Sequence, residues 1–172
     1  MSRGERLSVG VVLEHRRVER GWVSEAWRVA GLLPPGVGAG LEPWAAVAEG
    51  PGWRHLYAGE VAIELFPGET AAYRDNLASS RPAVYVVLRR DPDHGMAVRE
   101  ATVDPGEIEA HADAGDDQIE AVPLPDAVAA WMQDFIARHH VEREFYKRQR
   151  KPVDPEALGR RPALFREGNG HG

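Results

Sequence analysis

From Trp53 to Leu65 the odd positions read Trp53, His55, Tyr57, Gly59, Val61, Ile63 and Leu65, with Arg54, Glu60 and Glu64 between them. A period of two belongs to an extended chain, which sends alternate side chains to opposite faces. A helix would scatter this set around its whole circumference. The run therefore demands β structure, and its length predicts two strands folded at Ala58 and Gly59, with the even positions facing solvent.

Similar runs flank it. Leu7, Val9, Val11 and Leu13 alternate with Ser8, Gly10 and Glu14, predicting a strand over 7–18. Gly21 and Trp22 break the run, and a second extended segment covers 23–33, with Val23, Trp27 and Val29 on one face. The following Pro34-Pro35-Gly36-Val37-Gly38-Ala39-Gly40 is too rich in Pro and Gly for regular structure. It lacks the Lys-Ser/Thr ending of a phosphate-binding loop and reads as a surface loop. A short strand is expected over 44–48 and a turn at Gly50-Pro51-Gly52. Ala83–Leu88 is apolar at both parities, which predicts the most buried strand. The turn sequence Asp91-Pro92-Asp93-His94-Gly95 joins it to a hairpin partner over 96–103, and 118–122 forms the last strand.

Three segments have helical chemistry. Residues 69–77 hold Ala71 and Ala72 with no β-branched residue after Thr70. Asp104-Pro105-Gly106-Glu107 has a capping Asp, Pro at the first position and Glu at the third, opening a short helix that ends near Gly115. From Pro125 to about Arg150, Val128, Trp131, Met132, Phe135, Ile136 and His139 form one stripe. Strands first and one long helix last define an α+β class. The expected architecture is a mainly antiparallel β sandwich or barrel with short connecting helices and a long C-terminal helix. The pleckstrin-homology superfold is one arrangement with this element order. A length of 172 residues suits a single domain, placed at 7–151, with a flexible Pro- and Gly-containing tail over 152–172.

Composition narrows the function. There is no cysteine, which removes disulfides, iron–sulfur ligation, thiolate zinc sites and sulfur transfer by a persulfide. A formal charge of −6 argues against broad nucleic-acid binding, which draws on an excess of Lys and Arg. No apolar run approaches the roughly 20 residues of a membrane helix, and the first residues show no signal-peptide pattern. The expectation is a cytoplasmic protein without a membrane partner.

No catalytic residue is assigned. No serine stands in a Gly-x-Ser-x-Gly setting, and His55, His94 and His111 lie in unrelated contexts. His140 and Glu144 have a metal-compatible helical spacing, yet two ligands do not make a site, and His139 continues the apolar stripe. No metal or other cofactor is called for. Two polar segments are candidates for partner binding. One is the helix carrying Tyr73, Arg74 and Asn76, set in a connection where binding residues often lie. The other is the basic helix end with Lys147, Arg148 and Arg150, whose ordinary explanation is compensation of the helix dipole.

Several strings occur together: Val9-Gly10-Val11-Val12-Leu13-Glu14, Trp22 with Trp27-Arg28-Val29, and Glu69-Thr70 with Tyr73 and Asn76-Leu77. To these are added Val84-Tyr85-Val86-Val87-Leu88-Arg89-Arg90, His139-His140-Val141-Glu142 and Phe145-Tyr146-Lys147-Arg148. In this combination, spanning about residues 7–151, the chain resembles a small bacterial family of unknown function. Genes of that family tend to lie near those of molybdenum-dependent formate dehydrogenases and their maturation factors. The resemblance implies a non-catalytic helper whose partner is a formate dehydrogenase subunit or maturation factor. It transfers no catalytic residues. The alternative is a small enzyme or ligand-binding barrel with a site built from scattered polar residues.

Overall fold

The structure is a computed structural model that describes residues 4–19, 22, 24–112 and 115–150, with residues 112 and 141–150 described by their backbone alone. Seven strands and three α-helices follow in order: β1 (Glu5–Arg17), β2 (Glu25–Leu33), β3 (Ala46–Gly50), β4 (Trp53–Leu65), α1 (Thr70–Ala78), β5 (Ala83–Asp91), β6 (Gly95–Thr102), α2 (Pro105–Ala112), β7 (Asp117–Pro123) and α3 (Asp126–Arg150). Short 3₁₀ turns occupy Val37–Gly40 and Pro67–Glu69. Four strands form one antiparallel sheet in the order β2-β1-β4-β3, and three form a second in the order β6-β5-β7. The α+β class is thus observed. The predicted surface loop at 34–40 is exposed except at Gly38, where its 3₁₀ turn meets the first sheet and an added Cβ would stand 2.5 Å from the Tyr57 hydroxyl.

The segment 53–65 departs from its expectation. It is one unbroken strand, and β1 runs antiparallel along its length. Val12 pairs with Tyr57 and Gly10 with Glu60, so two residues, Ala58 and Gly59, oppose Val11. This is a β-bulge, and Gly59 supplies it with φ of 97°, a conformation that costs other residues a clash at Cβ. The extra residue exchanges the faces. Beyond the bulge Val61, Ile63 and Leu65 point to the core, whereas before it Leu56 does so and Trp53, His55 and Tyr57 point the other way. The single alternating series in the sequence is therefore two series on opposite faces.

The core lies between the sheets. Val9, Val11, Leu13, Trp27, Leu56, Ile63 and Leu65 meet Val84, Val86, Leu88, Met96 and Ala101. Helix α3 adds Val128, Met132 and Phe135, all fully buried and all on the predicted stripe. Strand β5 is buried at both parities as expected, and so is the middle of β1 from Val9 to Glu14. No backbone ladder joins the two sheets into a barrel. At the β2 and β7 edges side chains intervene: Gln118 Nε2 donates to the Trp27 carbonyl at 2.6 Å, and the Val29 amide donates to Glu120 Oε1 at 3.3 Å. Those contacts satisfy edge groups that would otherwise invite strand pairing.

Helix α3 is anchored to the start of β1. Trp131 Nε1 donates to Glu5 Oε1 at 3.0 Å, and Arg138 meets Glu5 at 2.7 Å while also reaching Asp134. The tail over 152–172 lies outside the described residues. Among the described residues no helix is long and apolar enough to cross a membrane.

Replacement of Gly59 by alanine should cost about 1–2 kcal/mol in a urea melt, because φ there is left-handed. No atom lies within 4 Å of a Cβ built at that position, so crowding does not contribute. A neutral substitution would show that the bulge relaxes. Phe135→Ala should cost about 3–5 kcal/mol, and Trp131→Ala less, since Trp131 is only half-buried.

Candidate functional site

Carboxylates and histidines carry most of the protein's possible chemistry, and their partners sort them into closed and open groups. The largest closed group holds α2 on the outer face of the second sheet. His111 of α2 places Nδ1 3.1 Å from Asp117 Oδ2 and Nε2 3.1 Å from Glu100 Oε1. Asp117, whose side chain is inaccessible to solvent, also accepts from Arg89 Nε at 2.6 Å. A histidine paired with a buried aspartate has the form of a general base. Here, however, the second ring nitrogen is occupied by Glu100, which leaves none for a substrate. The Asp117 hydrogen bond, supported by Glu100, raises the His111 pKa above its usual value. Arg89 first and then His111 lower that of Asp117.

A second closed group surrounds α1. Tyr73 and Asn76, two of the residues expected at a contact surface, are buried. The Tyr73 hydroxyl accepts from the Phe66 amide at 2.9 Å, and burial pushes its pKa up to about 12. Asn76 donates to the carbonyls of Ala83 and Val103 at 2.8 and 2.9 Å and accepts from the Ala83 amide at 3.0 Å. Both residues therefore tie α1 to its surroundings. Arg74 is exposed and donates to His140 Nε2 on α3 at 2.9 Å. The side chains of Lys147, Arg148, Arg150 and Glu144 lie outside the described residues. Among the described residues no group of three or more His, Asp or Glu side chains is placed to hold a metal ion.

The open group lies on the outer face of the first sheet, at the end remote from α3. Glu14 sits in the central strand with its side chain 8% exposed. The register sets Arg28 of β2 on one side of it and His55 of β4 on the other, with Ala48 of β3 beyond. One row further along the same face stand Ala26, Arg16, Trp53 and Gly50. Glu14 Oε1 lies 3.0 Å from His55 Nε2. Its other oxygen accepts from Arg16 Nε at 3.1 Å and forms an ion pair with Arg28, whose Nε stands 3.3 Å away. These partners, His55 foremost, hold the Glu14 carboxyl below its usual pKa. The Trp53 ring tilts against His55 with centroids 4.8 Å apart, and it packs over Gly50.

This arrangement leaves cations facing outward. Each guanidinium approaches Glu14 on its Nε side, so the outer edge with the other terminal nitrogen is not used by the anchor. Arg16 and Arg28 remain 50% and 66% exposed. A hollow of about 310 Å³ at the same end of the sheet is lined mostly from the opposite face, by His15, Arg17, Glu49 and Arg54, with Trp53 at its rim. Trp22, in the connection between β1 and β2 at the same end, is fully exposed. Arginine and tryptophan beside small residues are the composition of protein-binding surfaces.

The alternation of 7–18 placed Glu14 between the apolar residues without giving it a role, and His55 and His111 had no constellation. The spacing of Glu14 from Arg16 and of Trp53 from His55 was visible as two same-face pairs. Joining them required the β1–β4 register, and with it the bulge.

The class defined by these features is an α+β protein of two antiparallel sheets, with His111 and Glu5 committed to internal clasps and a basic, aromatic face on the first sheet. No curated protein and no solved structure matches the chain. It belongs to the family described as protein of unknown function DUF3305, which matches residues 8–150.

The His111 clasp predicts a pH signature. A raised His111 pKa contributes stability that is complete below the ordinary histidine value near 6.5 and lost as pH rises through the folded value. A lowered Asp117 pKa contributes stability present above the ordinary 3.8 and lost as pH falls through the folded value. Urea stability of the wild type should therefore fall as pH rises above about 6.5, the ordinary histidine value, and His111→Gln should flatten that alkaline limb. An unchanged alkaline limb in the variant would assign the fall to other groups.

Proposed function

We propose that the protein is a non-catalytic accessory factor that acts by binding another protein. The observation that carries this reading is the arginine pair gathered on buried Glu14, both side chains half or more exposed, on the face that also carries Trp53. The closed state of the His111 group supports it, since a hydrolytic or proton-transfer site needs a free nitrogen or oxygen aimed at substrate. The setting suggested by the family resemblance is the assembly or regulation of formate dehydrogenase in the cytoplasm. The partner is then a dehydrogenase subunit or maturation factor. Arg74 and the helix end bearing Lys147, Arg148 and Arg150 form a second contact surface in this proposal, while Tyr73 and Asn76 hold α1 in place for it. The pleckstrin-homology analogy rests on element order and contributes nothing to the choice of partner.

Affinity purification from the native organism, using the wild type and an Arg16→Gln/Arg28→Gln variant of normal melting behaviour, tests the reading. A dehydrogenase subunit or maturation factor should accompany the wild type and be lost or strongly reduced with the variant. Deletion of the gene should lower formate dehydrogenase activity at unchanged transcript level. Full activity in the deletion strain, with no such protein retained by the wild type, would overturn the proposal.

A further inference from the structure

We infer that the outer face of the first sheet receives an acidic segment of the partner, and that Glu14 is the positioning residue that sets the two arginines for it. This deepens the proposal that the protein binds another protein, and it rests on that reading. The argument begins with the shared oxygen. Arg16 and Arg28 come from neighbouring strands and converge on Glu14 Oε2, Arg16 through an Nε hydrogen bond at 3.1 Å and Arg28 as an ion pair at 3.3 Å. A guanidinium held at Nε is restricted in rotation, and its remaining donors are arranged as a planar fork that suits an oxyanion. One carboxylate thus orients two forks, and the cluster retains an excess of one positive charge with His55 neutral.

The charge of the cluster specifies an anionic ligand, and its spacing specifies two groups. Arg28 pairs with Glu14 across the strands, and Arg16 lies two residues further along β1, so the arginines are diagonal neighbours. Diagonal positions in a sheet are roughly 7–8 Å apart along the backbone, and the shared contact with Glu14 Oε2 draws the two Nε atoms closer than that. Two carboxylates at alternate positions of an extended segment are separated by about 6.6 Å, close to that interval. Ala26 and Ala48 add little side-chain bulk to the face around the arginines. The overall charge of −6 opposes a polyanion such as nucleic acid at long range, whereas a short acidic segment engages only the local field. The face therefore fits an acidic protein segment.

The experiment is an NMR titration of the purified full chain with a capped peptide holding two glutamates separated by one alanine. The comparison ligands are the same peptide with glutamines and a short single-stranded oligonucleotide. Backbone amides of residues 14–16, 26–28 and 53–55 should shift with the glutamate peptide, and higher salt should weaken the effect. Arg28→Ala should lower affinity about tenfold, the scale of one charge-assisted contact, while Glu14 keeps Arg16 and His55. Glu14→Gln separates anchoring from simple attraction. It makes the face more positive, so a purely electrostatic patch would bind tighter, whereas a positioned pair should bind several-fold weaker. Tighter binding by Glu14→Gln would remove the positioning role. Equal binding of the glutamate and glutamine peptides, no binding of either, or preference for the oligonucleotide would overturn the acidic-segment assignment. None of those outcomes touches the affinity purification, which stands or falls separately.

Discussion

The pairing of β1 with β4 organises the molecule, and Gly59 determines how it does so. Two strands of this length stay in register along their whole run only if the bulge opposite Val11 is accommodated. A left-handed residue takes up the extra length, and the side-chain parity of β4 inverts there. One half of β4 then contributes Val61, Ile63 and Leu65 to the core. The other half carries Trp53, His55 and Tyr57 to the far face. Without the inversion, His55 would not stand beside Glu14. The hydrophobic core and the open polar face thus depend on the same backbone feature.

The ionisable groups show how a modest domain holds its peripheral helices. Helix α3 is tied to β1 through Glu5, which receives both Trp131 and Arg138, and the Arg138 hydrogen bond is the main reason its carboxyl titrates low. Helix α2 is tied to the second sheet through His111 between two carboxylates, and it is capped by Asp104, which accepts from the Gly106 amide at 2.8 Å. In each case the charge is matched by groups of the protein itself, which makes the contact structural. Glu14 differs because its partners outnumber it. Two arginines and a histidine surround one carboxylate, and the excess is presented outward.

The two candidate surfaces lie at opposite ends of β1. Glu5 binds α3 at one end and Glu14 gathers the arginines near the other, nine residues on, or about 30 Å of extended chain. Arg74 and His140 belong to the α3 end. The rows around Glu14 are the better-defined of the two, because a buried carboxylate gathers the side chains that meet it.

By itself the sequence determined the type and approximate limits of the elements. Alternation in 7–18, apolar residues at both parities in 83–88, the cap before α2 and the 3.6-residue stripe of α3 are local signals, and local backbone preference suffices to read them. The buried stripe Val128, Met132 and Phe135 and the pair Asp134–Arg138 were legible for that reason. Only the tertiary structure decided the strand order, the side of the sheet on which Trp53 and His55 lie, and the inward position of Tyr73 and Asn76. The candidate site belongs to this second class. Glu14 and His55 are 41 residues apart, and their contact exists because two strands pair in one register out of several. Periodicity reports how side chains alternate along a strand, but it carries no mark of a bulge that reverses the count or of the strand that lies alongside.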